Sequence, residues 1–155
     1  MSYTQSLIDF LNASPVNFLA AKTIADQLEQ HGYRRIDPAE KMGAATANQK
    51  FYVMKNDSSI YAFHIGSQSF ADAGFHVICA HCDSPTFRIK PHSEITAEGI
   101  VKLNTELYGG AIMSTWFDRP LSLAGRVILR SEEAMNPETR LLHIRRPLLQ
   151  IPNLA

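Results

Sequence analysis

The chain has 155 residues, 45% of them hydrophobic, with 15 basic and 15 acidic side chains in balance. This suits one ordinary globular domain with a real core, and the lack of a basic excess argues against nucleic acid or an anionic membrane as partner. No apolar stretch approaches the length of a membrane helix, and Met1-Ser2-Tyr3-Thr4-Gln5 lacks the basic flank and apolar run of a signal peptide, so the expectation is a soluble intracellular protein.

Two helices are predicted first. One covers about Thr4 to Asn12, with Leu7, Ile8, Phe10 and Leu11 apolar. Ser14-Pro15 reads as an N-cap followed by proline at the first helical position of the second. That helix is expected to run to about His31, its apolar face made by Val16, Ala20, Ile24 and Leu28 at fourfold spacing, with Gly32 as the residue just past its end. Lys50 to Lys55 and Ile60 to Ile65 are strand-like, and Asn56-Asp57-Ser58-Ser59 between them is turn chemistry, so a hairpin is expected. Gly66 to Gly74 reads as a polar loop.

Phe75 to Ala80 is short, mostly apolar and without clean alternation, the pattern of a strand buried on both faces in an α/β sheet. After Pro91 helical periodicity is absent. Ile100 to Leu107, Leu121 to Arg130 and Arg140 to Ile144 read as successive strands, which places a boundary near Pro91-His92. Ile151 to Ala155 carries no stop signal or polar tail, and Asn153 resembles an N-cap, so the expectation is a truncated or cleaved product.

The two cysteines, Cys79 and Cys82, form a C-x-x-C at the end of a strand-like run. A redox pair normally opens a helix, and a structural zinc site needs a second ligand pair at knuckle spacing, so two ordinary thiols are the simpler reading. Between them lies the chemically informative segment, Ala80-His81-Cys82-Asp83-Ser84-Pro85. Functional side chains gather at the carboxyl ends of strands in open α/β sheets. A neutral imidazole there suits zinc, and an acid two residues on can face the same way and accept a hydrogen bond from the other ring nitrogen. From these residues alone, His81 is either such a ligand or a satisfied core histidine. His64 and His76 lie in strand-like runs and read as packing or surface residues; His31, at a helix end, reads as a dipole contact. Tyr108-Gly109-Gly110 is either a close backbone approach or a tight turn. Trp116-Phe117-Asp118-Arg119 offers interface anchors or a local hydrophobic cluster.

Three blocks carry a wider resemblance: Val77 through Pro91, Glu106 through Val127, and Arg146 through Ala155. In order and spacing they resemble the M18 (aspartyl aminopeptidase) family over essentially the whole chain. Cys82 departs from the family, where threonine is common at that position. The resemblance implies an α/β fold, with residues 1–91 as the amino-terminal part of a metallopeptidase domain and 92–155 as the start of an inserted β-rich dimerisation domain. It implies two adjacent metal ions, usually zinc, with cobalt or manganese as other possibilities. It implies a peptide substrate that loses an acidic amino-terminal residue, Asp or Glu, and a homo-oligomer built from dimers into a tetrahedral dodecamer. His81 matches a metal-ligand position and Asp83 the aspartate that supports the metal site. The remaining ligands and the glutamate base lie beyond residue 155 in family members, so this chain alone is expected to be inactive. The alternative expectation is a non-catalytic assembly or binding module.

Overall fold

The computed structural model describes residues 2–41, 43–44, 46–133 and 135–153. In chain order the elements are α1 (Tyr3–Ala13), α2 (Asn17–Gln30), β1 (Arg34–Arg35), β2 (Lys50–Lys55), β3 (Ser59–His64), α3 (Phe70–Ala73), β4 (Thr86–Ala97), β5 (Ile100–Tyr108), a 3-10 turn (Met113–Thr115), β6 (Ala124–Leu129) and β7 (Glu138–His143). They fall into two compact units. The first joins Met1–Asp83 with Ala124–His143, and the second joins Ser84–Leu123 with Ile144–Ala155.

In the first unit the Ser2 hydroxyl caps α1 by accepting from the Gln5 amide. Ser14 ends that helix, its N–H donating to the Leu11 carbonyl. This corrects the expected cap of α2, which is Val16 with no side-chain bond. Only three residues separate the helices, and Ser14 is already committed to the first. The end of α2 matches expectation: His31 is the cap and Gly32 has φ +82°, with Gly32 N–H donating to the Glu29 carbonyl and Tyr33 N–H to that of Leu28. That pair of bonds is a Schellman motif, and its left-handed residue favours glycine.

The sheet runs β1-β2-β3, with β1 parallel and β3 antiparallel to β2. Asn56 and Asp57 turn the β2–β3 hairpin with φ near +50°, a conformation both residues tolerate. Helix α2 packs on this sheet through small residues: Ala20, Ala21 and Ala25 are buried, joined in the core by Ile36, Phe51 and Tyr52. Alanines let the helix backbone lie close to the strands, so the expected stripe of Val16, Ile24 and Leu28 is only half-buried. Tyr52, 1% exposed, donates its hydroxyl hydrogen to Glu29 Oε1 at 2.6 Å and joins β2 to α2. Phe51 stacks on its cross-strand partner Phe63 with ring centroids 5.0 Å apart. The β6–β7 hairpin is held in this unit by Arg126. Its guanidinium lies 4.1 Å from the Phe18 ring centroid and donates to the Asn56 carbonyl and side-chain oxygen at 3.0 and 3.2 Å.

The second unit is built on the β4–β5 hairpin, turned by Glu98 and Gly99, both at positive φ. Strand β4 has no counterpart among the sequence expectations because Pro91 sits in its middle. The pairing register shifts between Ile89 and Glu94, and this irregularity accommodates a residue that cannot donate to the ladder. Pro91-His92 therefore lies inside a strand, and the two compact units divide between Asp83 and Ser84.

The largest departure concerns Phe75 to Ala80. Residues 74–85 form neither helix nor paired strand, and Phe75, Val77 and Ile78 are exposed, Ile78 at 98%. The composition demands neighbours on both sides, and none of the described strands pairs with this run. His76 accordingly lies outside any strand.

Candidate functional site

The candidate site ends this extended run. Upstream, Ser69 and Asp72 bond reciprocally around the short α3, Gly74 takes φ +66°, and Phe70 stacks on Phe75 at 5.4 Å. The backbone then runs without regular pairing through His81 to Asp83. His81 Nδ1 lies 3.1 Å from Asp83 Oδ1, so the two side chains meet beside the bend that the backbone makes at Cys82. The His81 side chain is 92% exposed and that of Asp83 37%. With the proton on Nδ1 the ring donates to the carboxylate, which fixes ring orientation and leaves the Nε2 lone pair for a metal. The donor set thus suits one position of a zinc shell. Among the described residues no group of three His, Cys, Asp or Glu side chains converges, whereas a catalytic zinc needs about three protein ligands.

The other singled-out residues are placed as follows. Cys79 and Cys82 are both free thiols, and neither begins a helix. His64 is exposed in β3, and His31 Nδ1 lies 2.7 Å from the Gln27 carbonyl at the end of α2. His92 is in β4 and His143 in β7, the latter within the first unit. Gly109 satisfies both of its readings: φ is +73°, and an added Cβ would stand 3.4 Å from the Pro85 side chain. Trp116 and Phe117 are half-buried within the second unit, where Trp116 meets Phe87 edge-on at 5.3 Å, a contact of the kind the local-cluster reading expects. The charged partnership of Tyr52 with Glu29 went unread because a tyrosine in a strand looks like any other β-forming residue. Among the described residues no helix is long and apolar enough to cross a membrane.

Comparison with known proteins agrees with the blocks read from the sequence. A probable M18 family aminopeptidase 2 of Clostridium acetobutylicum is 49% identical over 156 residues, covering 100% of this chain and 36% of its own length. The cryo-EM structure of the Ape4 and Nbr1 complex superposes with TM-score 0.90 at 40% identity, over 97% of this chain and 29% of that one. The S. cerevisiae mApe1 dodecamer gives TM-score 0.85 at 28% identity, over 97% of this chain and 35% of that one. The chain therefore spans about a third of the length of the relatives it matches, and its architecture is the α/β fold of these aminopeptidases. The model of the family described as Aminopeptidase I zinc metalloprotease (M18) matches residues 10–155, and the chain belongs to that family.

Proposed function

We propose that the chain supplies the first metal ligand, and the carboxylate that orients it, to a metal-dependent aminopeptidase that removes amino-terminal residues, preferably Asp or Glu, from peptides. The observation that carries this reading is the 3.1 Å pairing of His81 Nδ1 with Asp83 Oδ1, inside a chain whose family is an aminopeptidase family. Asp83 holds the Nδ1 proton and the ring plane, and His81 offers Nε2 as ligand. Zinc, or cobalt or manganese in its place, supplies when bound a Lewis acid for the scissile carbonyl and an acidified water. The same reading divides the chain into the start of a metallopeptidase domain, residues 1–91, and the start of an inserted β-rich dimerisation domain, residues 92–155. It places the protein in the cytoplasm as a homo-oligomer built from dimers, a dodecamer like the related mApe1 assembly.

The residues at hand also support a second statement: these 155 residues by themselves do not turn over peptides and act, if separate, as an assembly or binding module. His81 contributes one ligand, and no group of three forms among the described residues. The test uses the full-length protein. His81→Ala is expected to lose bound metal and most activity on an Asp- or Glu-aminoacyl substrate, with the wild type preferring that substrate over a leucyl one. Normal metal content and turnover in His81→Ala would overturn the ligand assignment, and a leucyl preference would overturn the acidic specificity. Substantial turnover by the 155-residue chain, lost in His81→Ala, would overturn the second statement.

A further inference from the structure

The second unit is assembled from two stretches of chain, Ser84–Leu123 and Ile144–Ala155, separated by the hairpin that belongs to the first unit. The returning stretch is held by backbone bonds. Ile144 N–H donates to the Leu123 carbonyl at 2.9 Å, Leu121 and Leu149 exchange bonds at 2.9 and 3.1 Å, and Asp118 N–H donates to the Ile151 carbonyl at 2.9 Å. Proline interrupts this ladder on both sides, because Pro120 and Pro152 have no N–H to give. The next donor beyond Pro152 is the Asn153 amide, and it is met by a side chain: Asp118 Oδ1 at 2.9 Å. Asp118 holds two successive bonds because its backbone is left-handed, φ +54°, a conformation that asparagine, aspartate and glycine adopt far more readily than other residues. Arg119 closes the turn from the other side, Nη1 donating to the Thr115 carbonyl at 3.0 Å.

We propose that Asp118 is the positioning residue that holds the 151–153 stretch against the first stretch of this unit, through its left-handed backbone and its carboxylate together. This gives the Trp116–Arg119 motif an internal clamping role. The two contributions separate by substitution in the full chain. Asp118→Asn keeps both an acceptor oxygen and left-handed tolerance, Asp118→Gly keeps only the backbone, and Asp118→Ala keeps neither. Amide hydrogen exchange is the readout, with β4–β5 amides as the control for a folded unit. The Asn153 amide should exchange about tenfold faster in the Gly and Ala variants, since a bond to a charged acceptor is worth about a factor of ten or more, and at an intermediate rate in Asn, whose amide oxygen still accepts but carries no charge. The Asp118 amide, bonded to Ile151, should lose protection in Ala and retain it in Gly. Wild-type exchange at Asn153 in the Gly variant, or equal acceleration in Asn and Ala, would overturn the proposal. If Ala fails to fold, the Gly and Asn pair still decides it.

Discussion

Tyr52→Phe removes a single oxygen from the most buried aromatic side chain of the first unit. The ring keeps its packing against α2, so no cavity term arises, and the loss is the 2.6 Å bond to the Glu29 carboxylate. Bonds to charged acceptors contribute about 1.5–3 kcal/mol. Glu29 is exposed and regains water when the hydroxyl is gone, so the lower end applies, about 1.5 kcal/mol. For a protein of this length that is a fall in Tm of roughly 3–6 °C at neutral pH. The pH dependence is the sharper signature. Burial first, and then Glu29 as acceptor and neighbouring charge, push the Tyr52 phenol up to about 12, above the usual phenol value of about 10. Because the folded value is raised, its stabilisation is complete below the unfolded pKa of about 10 and is lost as pH climbs from there toward 12. At about 1.36 kcal/mol per unit the loss amounts to roughly 2–3 kcal/mol. Urea melts of both proteins between pH 7 and 12 should therefore show the wild type ahead at neutral pH, its advantage vanishing and then reversing across the alkaline window, since the loss exceeds the roughly 1.5 kcal/mol held at neutral pH. Parallel curves with a constant gap would refute a native-state phenol held neutral by its surroundings, and no gap at all would refute the bond to Glu29.

In the full-length protein, Asp83→Asn should keep the fold and weaken metal affinity or rate by about 10–100-fold; unchanged values in metal titration and kinetics would count against its orienting role. Gly109→Ala should lower stability by about 1–2 kcal/mol, because alanine is strained at φ +73° and its Cβ meets Pro85 at 3.4 Å, whereas an unshifted melting curve would show that this turn relaxes freely. Arg126→Lys should loosen the β6–β7 hairpin by about 1 kcal/mol despite preserving charge, since a compact ammonium cannot lie over the Phe18 ring and at the same time reach both Asn56 oxygens as Nη1 does. Hairpin amides that exchange at wild-type rates in that variant would contradict this.

The elements that depend on local chemistry were legible from residue order. Fourfold apolar spacing revealed α2 and Gly32 marked its end, and the Asn56-Asp57 turn between strand-forming runs marked the β2–β3 hairpin. The proximity of His81 and Asp83 was also readable, because residues two apart are close in any local conformation, although the chain bends at Cys82 where simple alternation was expected. Family membership came from long blocks in fixed order, which carry far more information than a three-residue motif. What depends on contacts between distant residues was not legible. Strand β4 was hidden by Pro91 in its middle, which the pairing with β5 tolerates at a register shift. Phe75–Ala80 has the composition of a buried strand, but burial is conferred by neighbours, and no described strand lies beside it. The β6–β7 strands read as part of one β region, while Arg126 ties them to α2 and the Asn56 turn some 70 residues earlier. Local propensity and periodicity are written in successive residues; which face meets which, and therefore what is buried, is decided only when the folded chain brings the partners together.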